Sequence, residues 1–219
     1  MRRKMRLGMA ASGVFALCFI AASASQSDPP AAAGQAPAAT TEALAASDTL
    51  ATGLPDLFAA TAGSADLSSQ ERQVLDRATD AGRISASDYE DTNQRYRECM
   101  TERGFVPEFR KSSQGFYVQL PFRSVTDHDA LDAAHIACTR DTMTVESLYR
   151  VQQANPDLLA DSRLVAVQCL QVEGYLSDEY TARDFEHDWT QNQFPFDATE
   201  ASANDCLWGA GYGYFVSDD

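Results

Sequence analysis

Apolar residues recur at helical spacing along most of the chain and at strand spacing in one short stretch. Val74, Leu75 and Ala78 follow Ser68 and Glu71, a serine N-cap with a glutamate three residues on, so a helix is expected from Ser68 to the glycine stop at Gly82. The next helix is expected from Ile84 to Arg103, with Ser87 and Glu90 as its capping pair. Phe116, Val118 and Leu120 then alternate with Tyr117 and Gln119, a period of two that predicts a strand. Residues 105–109 are its expected hairpin partner, and Pro107 and Pro121 confine both strands to edges or ends.

Helical spacing returns after residues 126–129, whose polar side chains suit a cap, in a helix carrying Leu131, Ala134, Ile136 and Cys138. A further helix is expected over residues 145–153. Asn155 as N-cap with Pro156 at the first helical position predicts the next, through Leu158, Leu159, Leu164, Val165 and Val167 to Gly174. Residues 178–189 read as a charged helix. Residues 197–200 cap a last helix carrying Cys206 and Leu207, and the aromatic, glycine-rich residues 208–216 suggest a terminal strand.

One seven-residue pattern occurs at the end of two of these helices. Cys99-Met100-Thr101-Glu102-Arg103-Gly104-Phe105 and Cys169-Leu170-Gln171-Val172-Glu173-Gly174-Tyr175 both read Cys, apolar, three residues, Gly, aromatic. A left-handed glycine at C′ of a helix lets the residue after it pack on the side chain at C3. With Gly104 and Gly174 at C′, the pairs Phe105–Met100 and Tyr175–Leu170 fall at those positions. The pattern is therefore read as a helix terminator with its hydrophobic clasp. Each copy is followed by one more cysteine, Cys138 or Cys206, at nearly equal spacing. The fold class that results is mainly α with a minor β-hairpin. Two degenerate repeats, about residues 86–141 and 156–209, each run helix, variable segment, helix and carry one disulfide.

Composition divides the chain. Residues 1–24 have a basic start (Arg2, Arg3, Lys4, Arg6), an apolar run and a small-residue end at Ala22-Ser23-Ala24, the layout of a signal peptide. Leu17 before Cys18 is larger than the residue a lipid-attachment site carries, so Cys18 reads as part of the apolar run; an uncleaved anchor and lipidation are the alternatives. Residues 25–66 are rich in Ala, Pro, Ser and Thr and read as a disordered tether, with Leu54, Leu57 and Phe58 as a small apolar patch. Residues 67–219 form the expected helical, disulfide-stabilised domain.

Cleavage would take the net charge from −15 to −19, by loss of the four basic residues. That disfavours nucleic acid, whose binding needs phosphate neutralisation, and disfavours an anionic membrane surface except through an uncleaved or lipidated anchor. Four cysteines remain, Cys99, Cys138, Cys169 and Cys206. An even count in an exported chain suggests two disulfides, and no two are spaced for a zinc site. Three connectivities are open; symmetry favours Cys99–Cys138 with Cys169–Cys206.

Few residues suggest chemistry. His128, Asp132 and His135 share one face of a predicted helix and are the metal candidates, against the plainer reading of a solvated face. Glu186, His187 and Asp188, with Asp178, Glu179 and Asp184, could supply acid–base pairs, though a solvated helix explains them as well. Gly82-Arg83-Ile84 with Asp88 resembles half of an EF-hand loop, but Arg77, Thr79 and Ala81 would be its first ligands and calcium needs carboxylates. Tyr117, Trp189, Trp208, Tyr212, Tyr214 and Phe215 are core candidates that could also form a sugar- or protein-binding face. No catalytic residue and no cofactor is expected.

Taken together, Gly82-x-Ile84-Ser85-x2-Asp88-Tyr89-Glu90, the two terminators and Asn155-Pro156 resemble a group of uncharacterised exported proteins of high-GC Gram-positive bacteria, many of them lipid-anchored. The resemblance spans about residues 67–175. It implies export and a helical disulfide fold and brings no catalytic residues with it. The expectation is a secreted or extracytoplasmic, non-catalytic interaction module, with an envelope protein or cell-wall glycan as partner. The alternatives are a cell-wall hydrolase working through carboxylates and a metal-binding protein using His128, Asp132 and His135. The variable segments, 109–120 and 178–193, are the expected binding surfaces.

Overall fold

The computed structural model describes residues 48–64 and 66–213. The signal segment, Cys18, most of the expected tether, and Tyr214 and Phe215 lie outside the described residues. Among those described, the order is α1 (Leu54–Ala62), α2 (Ser69–Ala81), α3 (Ala86–Glu102), β1 (Phe109–Lys111), β2 (Tyr117–Gln119), α4 (His128–Thr139), α5 (Met143–Ala154), α6 (Ser162–Val172), α7 (Ala182–Gln191) and α8 (Ala201–Gly209). The protein is mainly helical, with one antiparallel hairpin that pairs Phe109 with Gln119, Arg110 with Val118 and Lys111 with Tyr117. The strand partner thus begins at Phe109, where the expected segment ended.

Both staples form as symmetry suggests, Cys99–Cys138 and Cys169–Cys206. Both terminators adopt the expected geometry. Gly104 (φ 87°) and Gly174 (φ 79°) are left-handed. The Phe105 N–H donates to Met100 O at 3.0 Å, and Tyr175 N–H to Leu170 O at 2.8 Å, the long bond of this cap. A third copy closes α8. Cys206-Leu207-Trp208-Gly209-Ala210-Gly211-Tyr212 has Gly211 at φ 90° and Tyr212 N–H donating to Leu207 O at 2.8 Å. The second staple therefore joins two helices with the same ending.

Three apolar clusters hold the elements together. The first gathers α1, α2, α5 and the hairpin, with Phe58, Leu75, Ile84, Phe116 and Val145 at its centre. The second lies among α6, α7 and α8 around Leu170, Phe185 and Leu207. The third, between α3 and α4, is small: Tyr96, Met100, Ala134 and Cys138.

Five expectations change. The folded part begins before residue 54, not at 67, because Phe58 is fully buried against α2 and the Ala-rich stretch around it is helix-forming. Arg72 then reaches back to Ala62 O and Ser64 O at the open end of α1. The cap of α3 is Ser85 with Asp88, which leaves Glu90 free to bond Lys111 and the Tyr117 hydroxyl. Asn155 ends α5 instead of starting α6. Its side chain clamps Leu159 N and O, Leu158 turns left-handed (φ 51°), and residues 158–160 bond the strand-like segment at 48–50. Those bonds keep the backbone extended, so α6 starts only at its Asp161 cap. The charged helix starts at a Thr181–Asp184 capping box, later than expected. Residues 208–209 belong to α8, and no strand follows among the described residues.

Candidate functional site

The proposed metal trio sits on α4 but does not converge. His128 and Asp132 are exposed, and His135 Nδ1 turns to the Tyr96 hydroxyl at 2.9 Å. His135 is exposed at its edge, and partial desolvation of its ring lowers its pKa, with Asp132 acting in the opposite sense. Among the described residues no three His, Cys, Asp or Glu side chains gather as a metal site.

The acids of α7 are engaged in structure. Asp184 closes the capping box, Glu186 pairs with Arg163 at 2.5 Å, and Asp188 accepts the Tyr180 hydroxyl at 2.7 Å. Asp178, Glu179 and His187 are exposed and line neither of the two depressions beside Val106. The aromatic set is core or core edge. Tyr212 meets Phe185 and Trp189 at 4.9 Å between ring centroids, and Trp208 packs on the first cluster. Tyr117 stacks on Tyr89, and Arg97 lies over both the Tyr117 and Phe109 rings.

The hairpin, an expected binding surface, is bound within the molecule. Asp205 on α8 is 3% exposed; it pairs with Arg110 and accepts Ser113 N–H at 2.8 Å and the Ser113 hydroxyl at 3.1 Å. Arg110 also donates to Asn204 Oδ1 at 2.6 Å. Next in the same turn, Gln114 Nε2 donates to Cys169 Sγ at 3.4 Å, so the hairpin tip lies over the second staple. Gly209 allows α8 to approach α5 this closely: a Cβ there would lie 2.7 Å from that of Ala154.

The residue with the most perturbed carboxyl is one the pattern of charges did not single out. Glu146 opens α5 against α3. Its Oε1 is sealed from solvent with no hydrogen-bond partner among the described residues. Burial pushes its pKa up to about 7, against the pull of Arg150, the Asn93 amide and Arg97. Its sequence signal was Glu146 and Arg150 four apart beside Val145 and Tyr149, an ion-pair spacing on the apolar side of the helix.

Two shallow depressions, of about 420 and 390 Å³, flank the exposed Val106. The first is lined by Arg97, Glu98 and Glu102 on α3, the second by Phe105, Phe122 and Arg123. Neither contains Glu146 or a histidine. Among the described residues no helix is long and apolar enough to cross a membrane. The two disulfides suggest an oxidising, extracytoplasmic setting. Compared with protein-family models, curated proteins and solved structures, the chain matches none.

Proposed function

We propose that this chain is an exported protein of the cell envelope that acts as a non-catalytic interaction module, its partner an envelope protein or a cell-wall glycan. Residues 1–24 serve as its signal segment and the stretch after them as a spacer. The resemblance to exported Gram-positive proteins, many lipid-anchored, is consistent with this, and attachment at Cys18 is the variant form of it.

One observation supports the reading above the others: the titratable groups are spent on structure. Glu71 caps α2 and also accepts the Thr144 N–H at the start of α5. Asp205 holds the hairpin, Asp184 caps α7, and Glu146 is enclosed between helices. A hydrolase needs an acid and a base facing one accessible space. The two depressions near Val106 are shallow, and the carboxylates that line them, Glu98 and Glu102 in the first and Glu108 and Asp127 in the second, are exposed surface groups.

The test is incubation of the full exported chain with purified cell-wall glycan, following both co-sedimentation and release of soluble sugar. Binding without release is the expected result. Catalytic release that persists at trace enzyme would replace this reading with the hydrolase.

A further inference from the structure

The two disulfides close loops of similar length but sit in different chemical surroundings. Each pairs a half-buried sulfur, Cys99 or Cys169, with a buried one, Cys138 (4% exposed) or Cys206 (1%); Cys169 accepts from the Gln114 amide, next to Ser113, which Asp205 binds. Cys99 is half-buried on the outer side of α3, and Arg103, one turn on, is exposed. The Arg103 guanidinium donates to Cys99 Sγ at 3.1 Å and to Cys99 O at 3.2 Å. The first pair thus carries a cation at its half-buried sulfur; the second carries a neutral amide at the equivalent atom.

The geometry points to Cys99–Cys138 as a thiol-exchange site, a redox-sensitive staple at which an external dithiol reacts on Cys99. Thiol exchange proceeds by attack of a thiolate on a disulfide sulfur, and a neighbouring Arg favours negative charge on sulfur. In a chain of net charge −15, Arg103 also offsets the repulsion an incoming thiolate would meet. The dithiol's first thiolate attacks Cys99 Sγ. A new S–S bond forms there, the Cys99–Cys138 bond breaks, and the electron pair leaves on Cys138 Sγ, which takes a proton from solvent. The dithiol's second thiolate then attacks its own sulfur in the mixed disulfide. Cys99 leaves as a thiolate beside Arg103, and the dithiol closes to its internal disulfide. Two electrons pass from dithiol to protein.

Opening this bond frees one element. The buried residues of α4 are Ala134 and Cys138; with Tyr96 and Met100 they form a small cluster, on whose edge Leu131, Phe105, Phe109 and Phe122 pack. The first and second clusters contain no residue of α4. Reduction therefore loosens α4, which keeps only this small cluster and the His135–Tyr96 hydrogen bond to α3, and leaves the remaining packing in place.

The test exposes the full exported chain at pH 7 to dithiothreitol, quenches with N-ethylmaleimide at intervals, and maps alkylated cysteines by mass spectrometry. Cys99 and Cys138 are expected to be labelled at least about tenfold faster than Cys169 and Cys206. Arg103→Gln, at an exposed position, should slow the first pair roughly two- to fivefold and leave the second unchanged. Trapping with glutathione disulfide after partial reduction should place the adduct on Cys99. In strong urea the gap between the pairs should close. The proposal is overturned if Cys169–Cys206 opens first or at the same rate, if Arg103→Gln leaves both rates unchanged, if the adduct sits on Cys138, or if the gap persists in urea.

Discussion

The two stapled modules share a frame and differ in what fills it. Each begins with a helix that ends in the same glycine clasp, and each disulfide joins that helix to a later one. Between the cysteines the first module inserts a hairpin and the second a helix, α7. The hairpin leaves its own module to pack on the first cluster and to cover the second staple through Ser113 and Gln114. The helix α7 stays home and builds an aromatic core with Phe194, Phe196 and Tyr212. One disulfide thus sits in the smallest cluster beside a cation, the other in a larger aromatic core beside a neutral amide. A repeated sequence pattern fixes how a helix ends; the inserted segment decides what packs around the staple.

The largest test of that contrast replaces each cysteine pair by alanine. Loop closure alone assigns about 4 kcal/mol to either disulfide, since the loops are nearly equal. The Cys169→Ala, Cys206→Ala variant should lose more than the other pair in urea unfolding, because its sulfurs also fill a core. Equal losses would erase the distinction. Next in size, Asp205→Ala strands Arg110 and the Ser113 N–H, at a cost of about 3 kcal/mol. It should also speed reduction of Cys169–Cys206 by dithiothreitol; an unchanged rate would mean that the hairpin does not shield that bond.

Glu146, on α5 just after the first module and against its helix α3, adds a pH signature on that side of the comparison. Its folded pKa, about 7, lies above the ordinary carboxyl value, so the folded state holds the proton more tightly than the unfolded chain. Its contribution is fully present below about pH 4.5 and is lost as pH rises through about 7, a change on the order of 2 kcal/mol. Glu146→Gln should flatten that part of the stability profile, measured by urea unfolding across pH 4 to 8. A profile with the same slope in both proteins would remove Glu146 as its source. The smallest effect is a matched one. A Cβ at Gly104 or Gly174 meets nothing within 4 Å, so alanine at either costs only its left-handed backbone, about 1 kcal/mol. Unequal melting shifts would show that the two clasps are not equivalent.

Local rules were the readable part of the sequence. The Ser68–Glu71 box, the Gly104 and Gly174 terminators and the cysteine symmetry depend on residues within a few positions of each other or on a simple repeat, and all three appear in the structure. What was hidden depends on distant partners. Ala-rich residues around Phe58 looked too poor in apolar surface to fold, but α2 supplies the surface that Phe58 needs. Asn155-Pro156 reads equally well as the start of a helix or the end of one, and pairing with residues 48–50 decides for the end. The third clasp was masked by Gly209 and Gly211, which made the tail resemble a strand. At the sites, Arg103 was only one of the three unspecified positions of the terminator pattern, and its bond to Cys99 follows from the helical turn between them.

Non-reducing peptide mapping of the oxidised, full exported chain tests the account most directly. Two separately stapled modules require the Cys99 peptide to be linked to that of Cys138, and the Cys169 peptide to that of Cys206. A Cys99–Cys169 link would tie the two terminator helices to each other and contradict the modules, their contrast and the exchange site together.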